Sequence, residues 1–193
     1  MPFYSEIATD PKRSFRFLFY LSGQTEGRQA TTLRPYTVKQ VKKPTFQLEG
    51  GPQVKYIQHT FKYPGRVVWQ DVSVTVIDPG GAEDAGVALY NMLARSGYSV
   101  PLGDTVQTRK SISKGEANKA IGSPKLEQIN AAGQSIEKWT LHNAFLSSVD
   151  FGEVSYDSDD IINVTLNIMY DYATLSNGDA GGGTIDGGIK SKG

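Results

Sequence analysis

Cysteine is absent from this 193-residue chain. That excludes a disulfide framework, a thiol nucleophile and any zinc site built on thiolates. Histidine is nearly absent: His59 and His142 stand far apart, neither with a second histidine or a carboxylate at ligand spacing, so no metal centre is expected. Net charge is missing as well. Twenty Lys and Arg balance 20 Asp and Glu, so the whole molecule is not an electrostatic binder of nucleic acid. No apolar run approaches the ~20 residues of a membrane helix, and no membrane span is expected. The start MPFYSEIATDPKR lacks a charged segment followed by an apolar one, so no signal peptide is expected and a soluble, cytoplasmically made protein is. No nucleophile elbow is present, and no glycine-rich phosphate loop precedes a helix. The reading is therefore no catalytic residue, no cofactor and no metal.

What is present is alternation. In Phe151–Tyr172, Ile162, Val164, Leu166, Ile168, Tyr170 and Tyr172 fall on one side, and Asn163, Thr165, Asn167, Met169 and Asp171 on the other. Successive side chains of a strand point to opposite faces, so this predicts a long strand with a dry face (Ile162, Val164, Leu166, Ile168) and a wet one. The wet face carries amides, a hydroxyl and a carboxylate but no His, Lys or Arg. That suits a surface lining something aqueous better than a catalytic site.

The rest reads as strands broken by turns. Phe15–Leu21 is an aromatic strand, and Ser22–Thr32 a loop. Tyr36–Glu49 and Val54–Tyr63 are two strands around the breaker Gly50-Gly51-Pro52, with Lys55, Ile57, His59, Phe61 and Tyr63 on one face. Val67–Ile77 is another strand, ended by Asp78-Pro79-Gly80-Gly81. Glu83–Gly97 is the one clear helix: Glu83 and Asp84 open it, Leu89, Met92 and Leu93 share a face, and Gly97 closes it. Residues 100–123 carry no readable period. Residues 123–146 admit a helix from Ser123-Pro124 or a hairpin turning at Ala132-Gly133-Gln134; the alternation of Trp139, Leu141 and Asn143 favours the hairpin. A single domain over residues 1–175 is expected, followed by a flexible extension over 176–193 with seven glycines and little to bury. The expected class is α+β, mainly antiparallel: a sandwich or barrel with one packed helix.

Two clusters have plainer explanations than the chemistry they suggest. Asp157-Ser158-Asp159-Asp160 looks like the start of a calcium loop, but Ile162 and Ile168 occupy the positions that require Gly and Glu, which leaves a polar turn. Tyr56, Phe61, Tyr63 and Trp69, interleaved with Lys55, Lys62 and Arg66, resemble a base-stacking platform; a sheet with aromatics on one side and lysines on the other explains them without a ligand. Charge is also unevenly spread. Residues 1–70 hold 11 Lys and Arg against 4 Asp and Glu, a net of +7, and residues 71–193 a net of −7. Copies of such a chain can meet basic surface to acidic surface.

Four segments, in order, resemble the tail tube protein of contractile-tailed bacteriophages of the T-even type: FRFLFYLSG, YPGRVVWQDVSVTVID, EDAGVALYNMLARSG and LHNAFLSSVDFGEVSYDSDDIINVTLNIMYDY. Together they cover about half the chain. The Gly-rich extension and residues 100–123 have no counterpart in the pattern. The resemblance implies hexameric rings stacked head to tail as the hollow inner tube of the virion's tail, assembled in the host cytoplasm. The inner sheet of each subunit would complete a barrel between subunits. It implies partners in the tail sheath, baseplate and tail terminator proteins, and DNA passing through the lumen without sequence-specific binding. Asn163, Thr165 and Asn167 would face that lumen, where uncharged polar groups let a polyanion slide, because lasting phosphate contact needs Lys or Arg. Close alternatives are a baseplate tube initiator and the inner-tube protein of a contractile injection or type VI secretion system. A monomeric β-barrel binding a small ligand is a further alternative, and it predicts a barrel closed within one chain.

Overall fold

Alternation builds this molecule strand by strand. The computed structural model describes residues 11–22, 32–33, 37–79, 84–101, 103, 109–157 and 159–178. The element order is β1 (Phe17–Ser22), β2 (Thr32–Leu33), β3 (Val38–Val41), β4 (Thr45–Tyr56), β5 (His59–Gln70), β6 (Val72–Ile77), α1 (Ala85–Arg95), α2 (Lys114–Ile121), β7 (Lys125–Ile129), β8 (Ser135–His142), β9 (Phe145–Asp150), β10 (Asn163–Met169) and β11 (Tyr172–Asn177). Every pairing is antiparallel. A five-stranded sheet runs β11-β8-β7-β1-β2, a four-stranded sheet runs β3-β6-β10-β9, and β4 and β5 form a hairpin of their own. The mainly antiparallel α+β class expected from the sequence is what the chain adopts. Neither sheet closes on itself among the described residues, so the fold is a sandwich and not an intrachain barrel.

The dry faces of the two sheets meet in one core. Val72, Val74 and Val76 of β6 and Val164, Leu166 and Ile168 of β10 face Phe19, Leu21, Leu126 and Leu141 of the larger sheet. β6 and β10 are paired residue for residue, Val164 with Val76 and Leu166 with Val74. Complete burial of such a side chain is worth about 1.5–3 kcal/mol. Ala85, Leu89 and Met92 of α1 close this core. Leu93, expected on the same face, is instead 38% exposed, because the buried stripe follows i, i+4, i+7. Neither helix is long and apolar enough to cross a membrane.

Several expectations are corrected. Among the described residues there are two helices, not one. Ser113 caps α2, its Oγ accepting from Glu116 N at 3.2 Å, and Gly122 ends it at φ 72°. Asp84 is not in the first turn of α1 but is its N-cap, accepting from Val87 N at 2.9 Å; Glu83 lies outside the described residues, as do most of the Ser22–Thr32 loop and all of 179–193. The Gly50-Gly51-Pro52 breaker does not separate two strands. β4 runs through it, and the turn is at Ile57-Gln58. Asp71 splits the expected strand over 67–77 into β5 and β6. The 125–142 hairpin forms, turning over Asn130–Gln134 with Asn130 Oδ1 accepting from Ala132 N and Gln134 N, each at 2.9 Å.

Candidate assembly surface

The four-stranded sheet has a second face, and it is polar. Gln40, Thr75, Thr165 and Asp150 form one row across β3, β6, β10 and β9, and Ser73, Asn167 and Ser148 another. Asn167 Nδ2 donates to Ser148 Oγ at 2.9 Å. Asn163, opposite Ile77, accepts from Lys39 Nζ at 3.3 Å; Lys39 is placed there by a register shift between Val38 and Gln40. The three residues expected to face a lumen, Asn163, Thr165 and Asn167, thus share one partly exposed face of one sheet. On the opposite face Val164, Leu166 and Ile168 are fully buried. Ile162 precedes β10 and is 39% exposed, and Tyr172 opens β11 and is 42% exposed, so the continuous dry face ends at Tyr170.

Both edges of this sheet are unpaired within the described residues: β3 bonds only to β6, and β9 only to β10. Exposed edges of this kind are templates for another chain.

The hairpin is the other open surface. β4 and β5 pack chiefly on each other. At twelve residues per arm the hairpin reaches about 40 Å. Its root is fixed by a chain of rings, Phe46 to Trp69 at 5.5 Å and Trp69 to Tyr170 at 5.9 Å, and by Tyr170 Oη donating to Gln70 O at 2.9 Å. Burial, with the nearby Asp71 charge, pushes the Tyr170 hydroxyl up to about 12, against a small opposing effect of the Thr45 backbone. Beyond the root Val54, Tyr56, Ile57 and Phe61 are all more than half exposed. The turn reverses face parity, so Tyr56 pairs with His59 and Val54 with Phe61, while Lys55 shares the opposite face with Thr60. This corrects the expected grouping of Lys55 with His59 and Phe61. Ile57 sits at φ 52°, a strained conformation for a β-branched residue.

One carboxylate ties the hairpin's approach to the larger sheet. Glu137 on β8 pairs with Lys12 and, at 2.9 Å, with Lys43, and accepts from Trp139 Nε1 at 2.6 Å. Burial pushes its pKa up, but those three donors outweigh it and hold the group at about 2. At the far end Lys114 of α2 donates to both Asp171 oxygens at 2.7 Å, and Asn143 to one at 2.8 Å; these bonds lower the Asp171 pKa.

Between α1, α2 and β9 lies an apolar groove of about 360 Å³, lined by Leu93, Ile112, Ile121, Phe145, Val149 and Phe151 among others. Nothing in the sequence pattern marked it, because its walls come from three separate elements. The two histidines do not meet: His142 stacks on Tyr172 at 4.6 Å and contacts Thr174 Oγ1 at 2.9 Å, whereas His59 is beside the hairpin turn. Among the described residues no three His, Asp or Glu side chains come together as a metal site.

No protein-family model matches the chain, and no curated protein does. Solved structures do. A chain of the tube-terminating cap of the anti-feeding prophage shares 16% identity over 90% of this chain and 97% of its own, with a TM-score of 0.59. A chain of the sheath/tube terminator of PVC, an extracellular contractile injection system in its extended state, shares 17% over 88% and 99%, with a TM-score of 0.60. A chain from the sixfold-symmetrised baseplate of the anti-feeding prophage shares 11% over 88% and 97%, with a TM-score of 0.58. At these identities the likeness is one of fold, and it extends over nearly the whole of each chain.

Proposed function

We propose that this chain is a structural subunit of the hollow tube of a contractile assembly, acting through its own association and not through chemistry. The observation that carries the reading is the four-stranded sheet with one dry face, one polar face and two edges unpaired among the described residues. Its strands alternate in direction and are even in number, so β9 of one copy and β3 of the next, related by rotation, run antiparallel. A ring closed this way has no free edge in its inner sheet. Asn163, Thr165 and Asn167 then face the bore. Six copies give about 24 strands, and at about 4.8 Å per strand a backbone diameter of roughly 36 Å before tilt widens it. The fold shared with chains of tube cap and terminator assemblies supports this reading.

The narrower proposal is the main tube of a contractile phage tail: hexameric rings stacked head to tail inside a sheath, between baseplate and terminator, passing DNA through a polar lining in which Asn163, Thr165 and Asn167 stand beside Asp150 and Lys39. A second reading, favoured by the same likenesses, is a tube or cap subunit of an extracellular injection machine, with a cargo other than DNA. Negative-stain electron microscopy of the concentrated protein tests the common part. Rings or hollow tubes are expected; a monomer at high concentration and moderate salt speaks against assembly through these edges.

A further inference from the structure

A second cavity, of about 500 Å³, lies at the C-terminal end of α1, where the segment leading into α2 passes. Its walls include Arg95, Ser99, Lys110 and Ser111. Gly97 brings these walls together. It sits at φ 107°, and a Cβ there would stand 2.9 Å from Ser111 O, so glycine is what lets the chain cross the helix end this closely. Arg95 is the informative residue. A cation in the last turn suits the helix dipole, and the carbonyls of Met92, Leu93 and Ala94 already accept from Ser96 and Gly97. Arg95 Nη1, however, is buried and has no hydrogen-bond partner. A buried donor left unsatisfied costs free energy that an acceptor recovers. Lys110 is exposed and makes no ion pair with another described residue. Glu116 also lines the cavity, but Lys119 Nζ holds its carboxylate at 3.0 Å.

We infer that this cavity is a binding site for a phosphate group, as the free ion or as a small monoester. Two cations and two hydroxyls border one space. That donor set suits a tetrahedral oxyanion carrying nearly two charges, whereas a lone carboxylate would leave one cation unmatched. Tyr98 lines the same space and offers a ring to the organic part of a monoester. The inference goes beyond the assembly reading and does not rest on it.

Calorimetric titration of the full chain with inorganic phosphate and with phenyl phosphate tests the site, ionic strength being held constant with chloride. Saturable binding is expected, weakened about tenfold or more in Arg95→Met and in Lys110→Gln. Tighter binding of phenyl phosphate identifies a monoester as the source, and equal affinities identify the free ion. Heats that do not saturate overturn the site, as does an affinity unchanged in either folded variant. Acetate binding as tightly as phosphate overturns the assignment to phosphate. Lys110 is exposed, so Lys110→Gln keeps the test decisive should Arg95→Met fail to fold.

Discussion

The paired strands β6–β10 and β4–β5 are both antiparallel, both apolar-rich and both alternating, yet they meet opposite fates. In the first pair Val72, Val74, Val76, Val164, Leu166 and Ile168 are essentially inaccessible. In the second, Leu48, Val54, Tyr56, Phe61 and Val67 are each more than half exposed. The first pair has a sheet and a helix across from it; among the described residues the second packs chiefly on itself. Isolated two-stranded ribbons are marginal in water, so this one depends on its root at Phe46, Trp69 and Tyr170. The difference separates residues that hold the fold from residues free to act between copies.

The same substitution in the two regions breaks or confirms that division. Val164→Asp places a carboxylate in the fully closed core with no partner. The chain is expected to lose its cooperative fold, by 4 kcal/mol or more on the order of the largest single-site effects. Circular dichroism and a melting scan check it; soluble protein that still forms rings would contradict the assignment of Val164 to the core. Glu137→Gln acts at the joint between the regions. It leaves Lys12 and Lys43 without their carboxylate and is expected to cost about 2 kcal/mol at neutral pH, reduced by the exposure of both lysines. Because the folded pKa of Glu137 is depressed from 4.5 to about 2, its contribution is complete above pH 4.5 and fades as pH falls from 4.5 towards 2. Unfolding measured across that interval should show the native chain converging on the variant; parallel curves would show that Glu137 is not the group responsible. Val54→Asp puts the same charge as Val164→Asp onto the exposed hairpin. Its effect on melting is expected within about 0.5 kcal/mol, while assembly weakens. A large loss of stability there would mean that the hairpin packs on its own sandwich.

The division also explains what the sequence made legible. β10 and β6 were readable because burial on one face and solvent on the other write a period of two into the residues. Gly50-Gly51-Pro52 misleads because it looks like a turn while serving as a bulged stretch of an exposed ribbon. A Cβ on Gly51 would stand 2.2 Å from Tyr63 O, and one on Gly65 2.5 Å from Glu49 O, so the glycines answer to a close approach between arms. Pro52 is tolerated because both strands of a two-stranded ribbon are edges. The true turn at Ile57-Gln58 has no turn residue to announce it. Helix α2 buries only Ala117, Ala120 and Ile121, too little for a visible apolar stripe; its legible signal was the Ser113-x-x-Glu116 pattern closed by Gly122. The polar face of the four-stranded sheet was legible residue by residue, but its rows across four strands and the groove beside β9 depend on pairings that no local period encodes.

The smallest effect is expected at the C-terminus, and it tests how far the domain extends. The flexible extension was expected from Ser176, but Ser176 and Asn177 belong to β11, paired with Lys138 and Glu137 of β8. Gly178 follows so tightly that a Cβ there would lie 2.0 Å from Ser135 O, which only glycine accommodates. The larger sheet therefore extends through Asn177, with Gly178 held against it. Removing residues 179–193 is expected to leave the melting temperature within a degree or so, because that Gly-rich segment has little apolar area to bury. Removing residues from 172 onward strips a whole edge strand from the larger sheet and exposes β8. A fall of several degrees for the first truncation would show the extension docked on the domain or on a neighbouring copy, and comparing that fall above and below the assembly threshold tells the two apart.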